Sequence, residues 1–264
     1  MLEASAVAAR LRAAGCVFAD DEARILLDAA DSTAALEAMI AAREQGRPIE
    51  HIVGWTQFCG LRVWTAAGVF VPRRRTEFLV AQAIRVTSPG ARVVDLCCGT
   101  GAVGLAVASA LESIELHAVD VDAAAVACAR RNLAPIGGAV HEGDLYAALP
   151  HRLRGSVDVV VANAPYVPSD AIELMPVEAR LFEHRVALDG GPDGLDVQRR
   201  IVSGAPDWLR RSGALLIETS DAQAEGTAAA TADAGFTSRI ARDPDRDATV
   251  VIARAGGPDP AAIT

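Results

Sequence analysis

Apolar positions in the first 45 residues recur three and four apart: Val7, Leu11 and Ala14, then Ile25, Leu26 and Leu27, then Leu36, Met39 and Ile40. That spacing predicts helices with one buried face. Gly15, Asp20-Asp21 and Asp31-Ser32 punctuate them as breaks and caps. From Arg92 onward the pattern changes. Short apolar runs near 92–96, 114–119, 138–141, 156–162 and 213–219 alternate with helical stretches. This alternation predicts a parallel sheet wrapped on both faces, an α/β fold. Phe236 to Ile240 and Thr249 to Ala253, joined through Asp243-Pro244-Asp245, predict a closing antiparallel hairpin and bring the sheet to seven strands. The expected organisation is a helical domain over 1–58, a β-hairpin linker over 59–75 with the hairpin itself near 61–71, a main domain over 76–255 and a flexible tail over 256–264.

The strand ends carry the chemistry. Val157 to Ala162 is a buried run that ends in Asn163-Ala164-Pro165-Tyr166. Such a turn puts an amide side chain, a backbone carbonyl and a ring around a small pocket, which suits a planar NH2 group. Asn and Pro also end strands with no other role, so the upstream residues decide. Val93 to Leu96 runs into Cys97-Cys98-Gly99-Thr100-Gly101-Ala102, a small-residue loop that opens a helix. Glycines there let a ligand approach the backbone, and the helix start offers unpaired N–H groups. Residues 99–104 spell G-x-G-x-x-G, the dinucleotide fingerprint. Asp95, however, would repel a pyrophosphate and welcome an ammonium group. Asp120, ending the next strand, suits the two hydroxyls of a ribose. Asp144, after the third, suits an adenine amino group. Three acids placed in this way describe a nucleoside with an ammonium tail, S-adenosylmethionine. Cys97, Gly99, Thr100, Gly101, Val121, Leu145 and Asn163 complete the expected cofactor-binding set, while Asn163, Ala164, Pro165 and Tyr166 form the expected catalytic set.

Taken together, Asp95 to Gly101, Asp120, Asp144 and Asn163 to Tyr166 resemble the S-adenosylmethionine-dependent protein N(5)-glutamine methyltransferases, which modify peptide-chain release factors. The resemblance continues through Gly54 to Val63, Val69 to Arg73 and Thr76-Glu77, which look like the family's hairpin between its two domains, and through Ala187 to Leu195, which is similar to its post-catalytic segment. It covers residues 45–255, and leaves open whether the chain is similar to the release-factor enzyme itself or to a paralogous branch of the family. It implies a class I, Rossmann-like methyltransferase fold, a substrate-recognition role for the helical domain and transfer of a methyl group to a glutamine side-chain amide, with a class I release factor as protein partner. The sequence departs from the family pattern at Cys97, where a glycine is usual, and at Ala164, where a proline is usual. Arg74 and Arg75 replace a proline and an acid, and His184 replaces a common proline. Methylation of adenine or of a small-molecule amine uses the same grip and is the alternative reading. A binding module of this fold without activity is a second.

Bulk properties narrow the classes. The chain has 264 residues, 51% of them hydrophobic, enough for a large core. Net charge −9 disfavours DNA as partner, since phosphates need a positive surface. Arg73-Arg74-Arg75 is the local exception, although a solvated loop explains it as well. Five cysteines without C-x-x-C spacing read as reduced thiols, and five scattered histidines lead us to expect no metal. All 25 basic residues are arginine, which reflects coding bias rather than function. Glu3, Arg10 and Arg12 interrupt Met1 to Gly15, so no signal peptide is expected, and no apolar run reaches membrane-spanning length. The expectation is a monomeric cytoplasmic enzyme.

Overall fold

A computed structural model describes residues 3–256; apart from Gly256, the expected tail lies outside them. Four helices come first: α1 (Ala4–Ala13), α2 (Ala19–Ala29), α3 (Thr33–Glu44) and α4 (Ile49–Val53). Val7, Leu11, Leu26, Leu36 and Ile40 pack as one cluster between them, as their spacing requires. Ser32 caps α3 by accepting from the Ala35 N–H at 3.1 Å. Gly15 lies just past α1 with a φ of 94°, a left-handed setting that favours glycine.

The hairpin starts earlier than residues 61–71 and falls almost wholly within the Gly54 to Val63 stretch that carries the family resemblance. Its strands are β1 (Trp55–Phe58) and β2 (Leu61–Trp64), paired antiparallel. Trp55 to Phe58 therefore belongs to the hairpin and not to the helical segment before it. Its inward positions, Thr56 and Phe58, are buried while Gln57 is exposed, the alternation of a strand with one covered face.

The main domain is one seven-stranded sheet: β3 (Arg92–Leu96), β4 (Glu115–Asp120), β5 (Ala139–Glu142), β6 (Val157–Ala162), β7 (Leu209–Thr219), β8 (Phe236–Asp243) and β9 (Ala248–Ala255). Its order is β5-β4-β3-β6-β7-β9-β8, parallel except for β9, which runs antiparallel to both β7 and β8. Side chains alternate between the two faces. Val93, Val159, Val161 and Leu216 share a cluster with Leu79 and Ala83 of α5 (Glu77–Val86) and with Val103 and Val107 of α6 (Ala102–Ala110). Val94, Leu96, Val160, Leu215 and Ile217 pack on the opposite face, against Ile201, Ala205 and Trp208 of α9 (Asp196–Trp208). Helix α7 (Ala123–Leu133) starts beyond β4, α8 (Val177–Phe182) lies in the long β6–β7 connection, and α10 (Ala224–Asp233) precedes β8. The chain builds outward in one direction from β3 and then in the other from β6. A topological switch point therefore opens at their carboxyl ends, where ligands bind in such sheets.

Arg43 joins the helical domain to the sheet domain. Its guanidinium grips the Glu22 carboxylate through two hydrogen bonds, 2.7 and 3.2 Å, and pairs with Glu178 of α8 at 2.6 Å. Arg43 and Glu22 are both buried. Arg43→Met strands that carboxylate, and the expected cost is about 3–5 kcal/mol, read as a lower urea midpoint. Replacing Glu22 with Leu as well should recover most of the loss. An unchanged midpoint in the single variant would show that the pair contributes nothing.

Candidate active site

One cleft opens at the switch point. Asp95, Cys97, Gly99, Thr100, Asp120, Val121, Asp144, Leu145 and Asn163 to Tyr166 all line it. Gly101 does not. A Cβ on Gly101 would meet Leu133 at 3.2 Å and Ala129 at 3.3 Å, so this glycine lets α6 pack on α7 rather than a ligand approach. Gly99 is the opposite case, with nothing within 4 Å of a Cβ built there.

The loop after β3 is held from two sides. Asp95 is buried and accepts from the Gly104 N–H at 2.9 Å. Gly104 permits this approach, since a Cβ there would sit 3.1 Å from Asp95 Oδ2. Burial pushes the Asp95 carboxyl up to about 7, against the opposing pull of that backbone bond. Cys97 adopts a φ of 54°, the left-handed setting that explains why glycine is usual there. Asp120 accepts from the Gly99 N–H at 2.7 Å and the Asp122 N–H at 2.9 Å, and burial raises its pKa despite both bonds. Asp144 stands at the mouth, more than half exposed, in a 2.5 Å ion pair with Arg200 of α9.

The turn after β6 is held by side chains from distant segments. Asn163 Nδ2 donates to Thr76 Oγ1 at 3.1 Å, and Thr76 Oγ1 donates to Glu218 Oε1 of β7 at 3.2 Å. Ala164 is buried. Gln223 Nε2 donates to the Tyr166 carbonyl at 2.9 Å. The Gly190 to Gly194 segment lies directly on the turn's backbone. A Cβ on Gly194 would come within 2.3 Å of the Tyr166 oxygen, and one on Gly190 within 2.8 Å of the Pro165 oxygen. Burial lifts the Tyr166 hydroxyl up to about 12 and the Glu218 carboxyl up to about 7. Phe70, Pro72 and Arg75, from the linker after the hairpin, close the outer wall. Glu183, wholly buried, anchors that wall by accepting from the Val71 N–H at 3.1 Å and from Arg73 at 2.5 Å.

This geometry agrees with the relatives of the chain. The Methyltransferase small domain family matches residues 60–191. A release factor glutamine methyltransferase of Geobacter sulfurreducens is 35% identical over 86% of this chain and 80% of its own length. One from Mycolicibacterium smegmatis is 40% identical over 80% of this chain and 76% of its own. The chain belongs to the release factor glutamine methyltransferase family. A solved methyltransferase from Pyrococcus furiosus shares the fold, with a TM-score of 0.57 at 15% identity over 75% of this chain and 90% of that one.

Three residues at this methyltransferase site escape the sequence reading as site residues. Glu218 follows Leu215-Leu216-Ile217, so the same signal of an acid closing an apolar run applies to it. Thr76 appears there only as part of the hairpin motif. Nothing in the sequence marks Arg200 as the partner of Asp144. Among the described residues no group of three His, Cys, Asp or Glu could hold a metal, and no helix is long and apolar enough to cross a membrane.

Asp95 gives the site a pH signature. Unfolded, its carboxyl ionises near the ordinary 3.8, whereas the fold retains the proton up to about 7. Stability contributed below the unfolded value is therefore lost as pH rises through the folded one. Asp95→Asn should gain stability relative to the parent protein between pH 4 and 8, measured as the difference in urea midpoints. A difference that stays flat across that range would show that Asp95 is ionised in the free enzyme.

Proposed function

We propose that the protein transfers a methyl group from S-adenosylmethionine to the side-chain amide nitrogen of a glutamine in a protein substrate, the Gly-Gly-Gln loop of a class I release factor. The observation that carries this reading is the Asn163 amide at the end of β6. With Nδ2 engaged by Thr76, its oxygen is left as an acceptor beside the cavity. Membership of the release factor glutamine methyltransferase family supports the substrate class.

The residues fit S-adenosylmethionine. Asp95 and Asp120 are carboxyls whose burial is offset only by backbone N–H groups, so an ammonium and a pair of ribose hydroxyls improve their surroundings. Thr100 Oγ1 is buried without a hydrogen-bond partner and offers a further polar contact. Asp144 would take the adenine amino group, and Cys97, Val121 and Leu145 would flank the nucleoside. When bound, the cofactor supplies an electrophilic methyl group on a sulfonium centre.

The protein then has to present a poor nucleophile. The lone pair of a glutamine amide nitrogen is delocalised into its carbonyl. Asn163 Oδ1 and the Ala164 carbonyl accept its two hydrogens, fix its plane and stabilise the positive charge that grows on nitrogen during transfer. No strong base is needed beforehand, because that nitrogen becomes acidic only as it gains the methyl group. One of its hydrogens leaves to solvent, and the product is a neutral N-methyl amide. Pro165, Tyr166 and Phe70 shape the pocket and exclude water. The decisive experiment incubates the enzyme with labelled S-adenosylmethionine and a release factor, then maps the label by mass spectrometry. Label on the glutamine is the expected result, and a release factor whose glutamine stays unlabelled overturns the reading.

Two substitutions separate cofactor from chemistry. Asp120→Ala should weaken S-adenosylmethionine binding by about 1–3 kcal/mol in calorimetry, and unchanged affinity would remove Asp120 from the site. Asn163→Ala should keep that affinity and lower turnover by about a hundredfold or more. Near-normal glutamine methylation by a folded, cofactor-binding Asn163→Ala protein would sink the mechanism.

A further inference from the structure

A primary amide has nearly the same shape when it is turned end for end, so packing alone cannot decide which end of Asn163 faces the acceptor. Only one setting works. The oxygen must face the substrate NH2, since the opposite setting would place two NH2 groups against each other. We infer that Glu218, acting through the Thr76 hydroxyl, fixes this choice, and that the two are positioning residues for Asn163. The inference rests on the reading of Asn163 given above.

The direction of the chain follows from counting hydrogens. Thr76 Oγ carries a single proton and is itself buried. At 3.2 Å from Glu218 Oε1, that proton goes to the carboxyl oxygen. Only lone pairs of Oγ1 then face Asn163, which answers with Nδ2 at 3.1 Å. The amide oxygen is left for the acceptor. Glu218 can only receive at Oε1 as long as that oxygen carries no proton, and Arg75, whose Nε lies 3.7 Å away, favours that state.

Glu218 is an expensive residue to keep at this position. It is 1% exposed, and its second oxygen, Oε2, is buried without a hydrogen-bond partner. A buried carboxyl half satisfied by hydrogen bonds costs stability. Packing would be served as well by an apolar residue, and a bond to Thr76 by any polar one. What an ionised carboxyl offers over an amide or a hydroxyl is an acceptor that cannot reverse the chain, and Arg75 works against the burial that favours the protonated form. The bond runs across 142 residues of sequence from β7 to the linker, so it also ties the outer wall to the sheet.

The test compares shape-preserving variants with wild type, measuring glutamine methylation, cofactor affinity, urea midpoint and the side-chain amide NMR signals of Asn163. Glu218→Gln can turn its NH2 toward Thr76 and reverse the chain. It should lower kcat by roughly tenfold or more with KM and cofactor affinity retained. Thr76→Val should lose turnover similarly, and Thr76→Ser should recover most of that loss. The double variant Glu218→Gln/Thr76→Val should be no slower than Thr76→Val alone, because Glu218 acts only through Thr76. Independent, multiplying losses, or an unchanged kcat in Glu218→Gln, overturn the inference. A Glu218→Gln protein altered only in urea midpoint also does so, and assigns the residue to the fold. The NMR arm needs no acceptor. In wild type the Asn163 NH2 protons show a nuclear Overhauser contact to Thr76 that Glu218→Gln removes, and a contact that persists in the variant overturns the inference. If wild type leaves release-factor glutamine unmethylated, the proposed function fails while the NMR comparison still decides this point.

Discussion

A parallel strand covered on both faces can meet a ligand only at its ends, and the rest of this molecule depends on that constraint. Val93, Val94, Val159 and Val160 are fully enclosed or nearly so, sealed by α5 and α6 on one side and α9 on the other. Polar groups are therefore displaced to the carboxyl ends of β3, β4 and β6, where the reversal of strand order leaves a gap. Asp95, Asp120 and Asn163 arrive there from separate strands, on a scaffold too densely packed to let them drift.

The same constraint explains what the sequence disclosed. An enclosed strand is an unbroken apolar run, so β3 and β6 could be read almost to the residue, and the acid or amide that closes each run was visible too. The strand reading placed the hairpin near 61–71 because Trp55 to Phe58 is only four residues long, although Gly54 ends α4 with a φ of 78° just before it and Cys59-Gly60 forms the turn. Glu218 was passed over for a different reason. It sits one residue before the end of β7, as Asp95 does in β3, but no glycine-rich loop or Asn-x-Pro turn follows it to mark a site. Contacts between Asp144 and Arg200, or among Thr76, Asn163 and Glu218, join segments tens of residues apart and leave no periodic trace. Gly101 shows the limit of a motif: the spelling suggests ligand contact, whereas the glycine serves helix packing.

The site is locally unfavourable to the fold. Cys97 and Leu145 hold positive φ, a setting that costs a non-glycine residue roughly 1–3 kcal/mol. Asp95, Asp120 and Glu218 are carboxyls pushed toward the neutral form by burial. The surrounding shell braces the cleft with close contacts of backbone on backbone under the Asn163 turn, while Arg73 and the Val71 N–H only partly answer the buried Glu183 carboxyl. Strain and burial concentrated in one cleft, braced from outside it, is the distribution expected where a ligand relieves the cost.

The departures from the family pattern bear on whether this is a working site or a relic. Each is seated. Ala164 is buried in the turn, and the Gly190 to Gly194 backbone supplies rigidity that a proline would otherwise bring. His184 bonds Asp122 at 2.6 Å, and it fills the space beside Gly68, where a Cβ would meet its ring at 2.2 Å. The linker thereby reaches the edge of the cleft beyond β4. Arg75, in place of an acid, stands 3.7 Å from Glu218 and 5.8 Å from the Tyr166 ring centroid. An acid in its place would repel Glu218, whereas the guanidinium works against the burial that favours the protonated form. Decay would loosen such contacts one by one and replace buried acids with apolar residues, since nothing but ligand and chemistry rewards their presence. Here the altered positions brace the same carboxyls and the same amide.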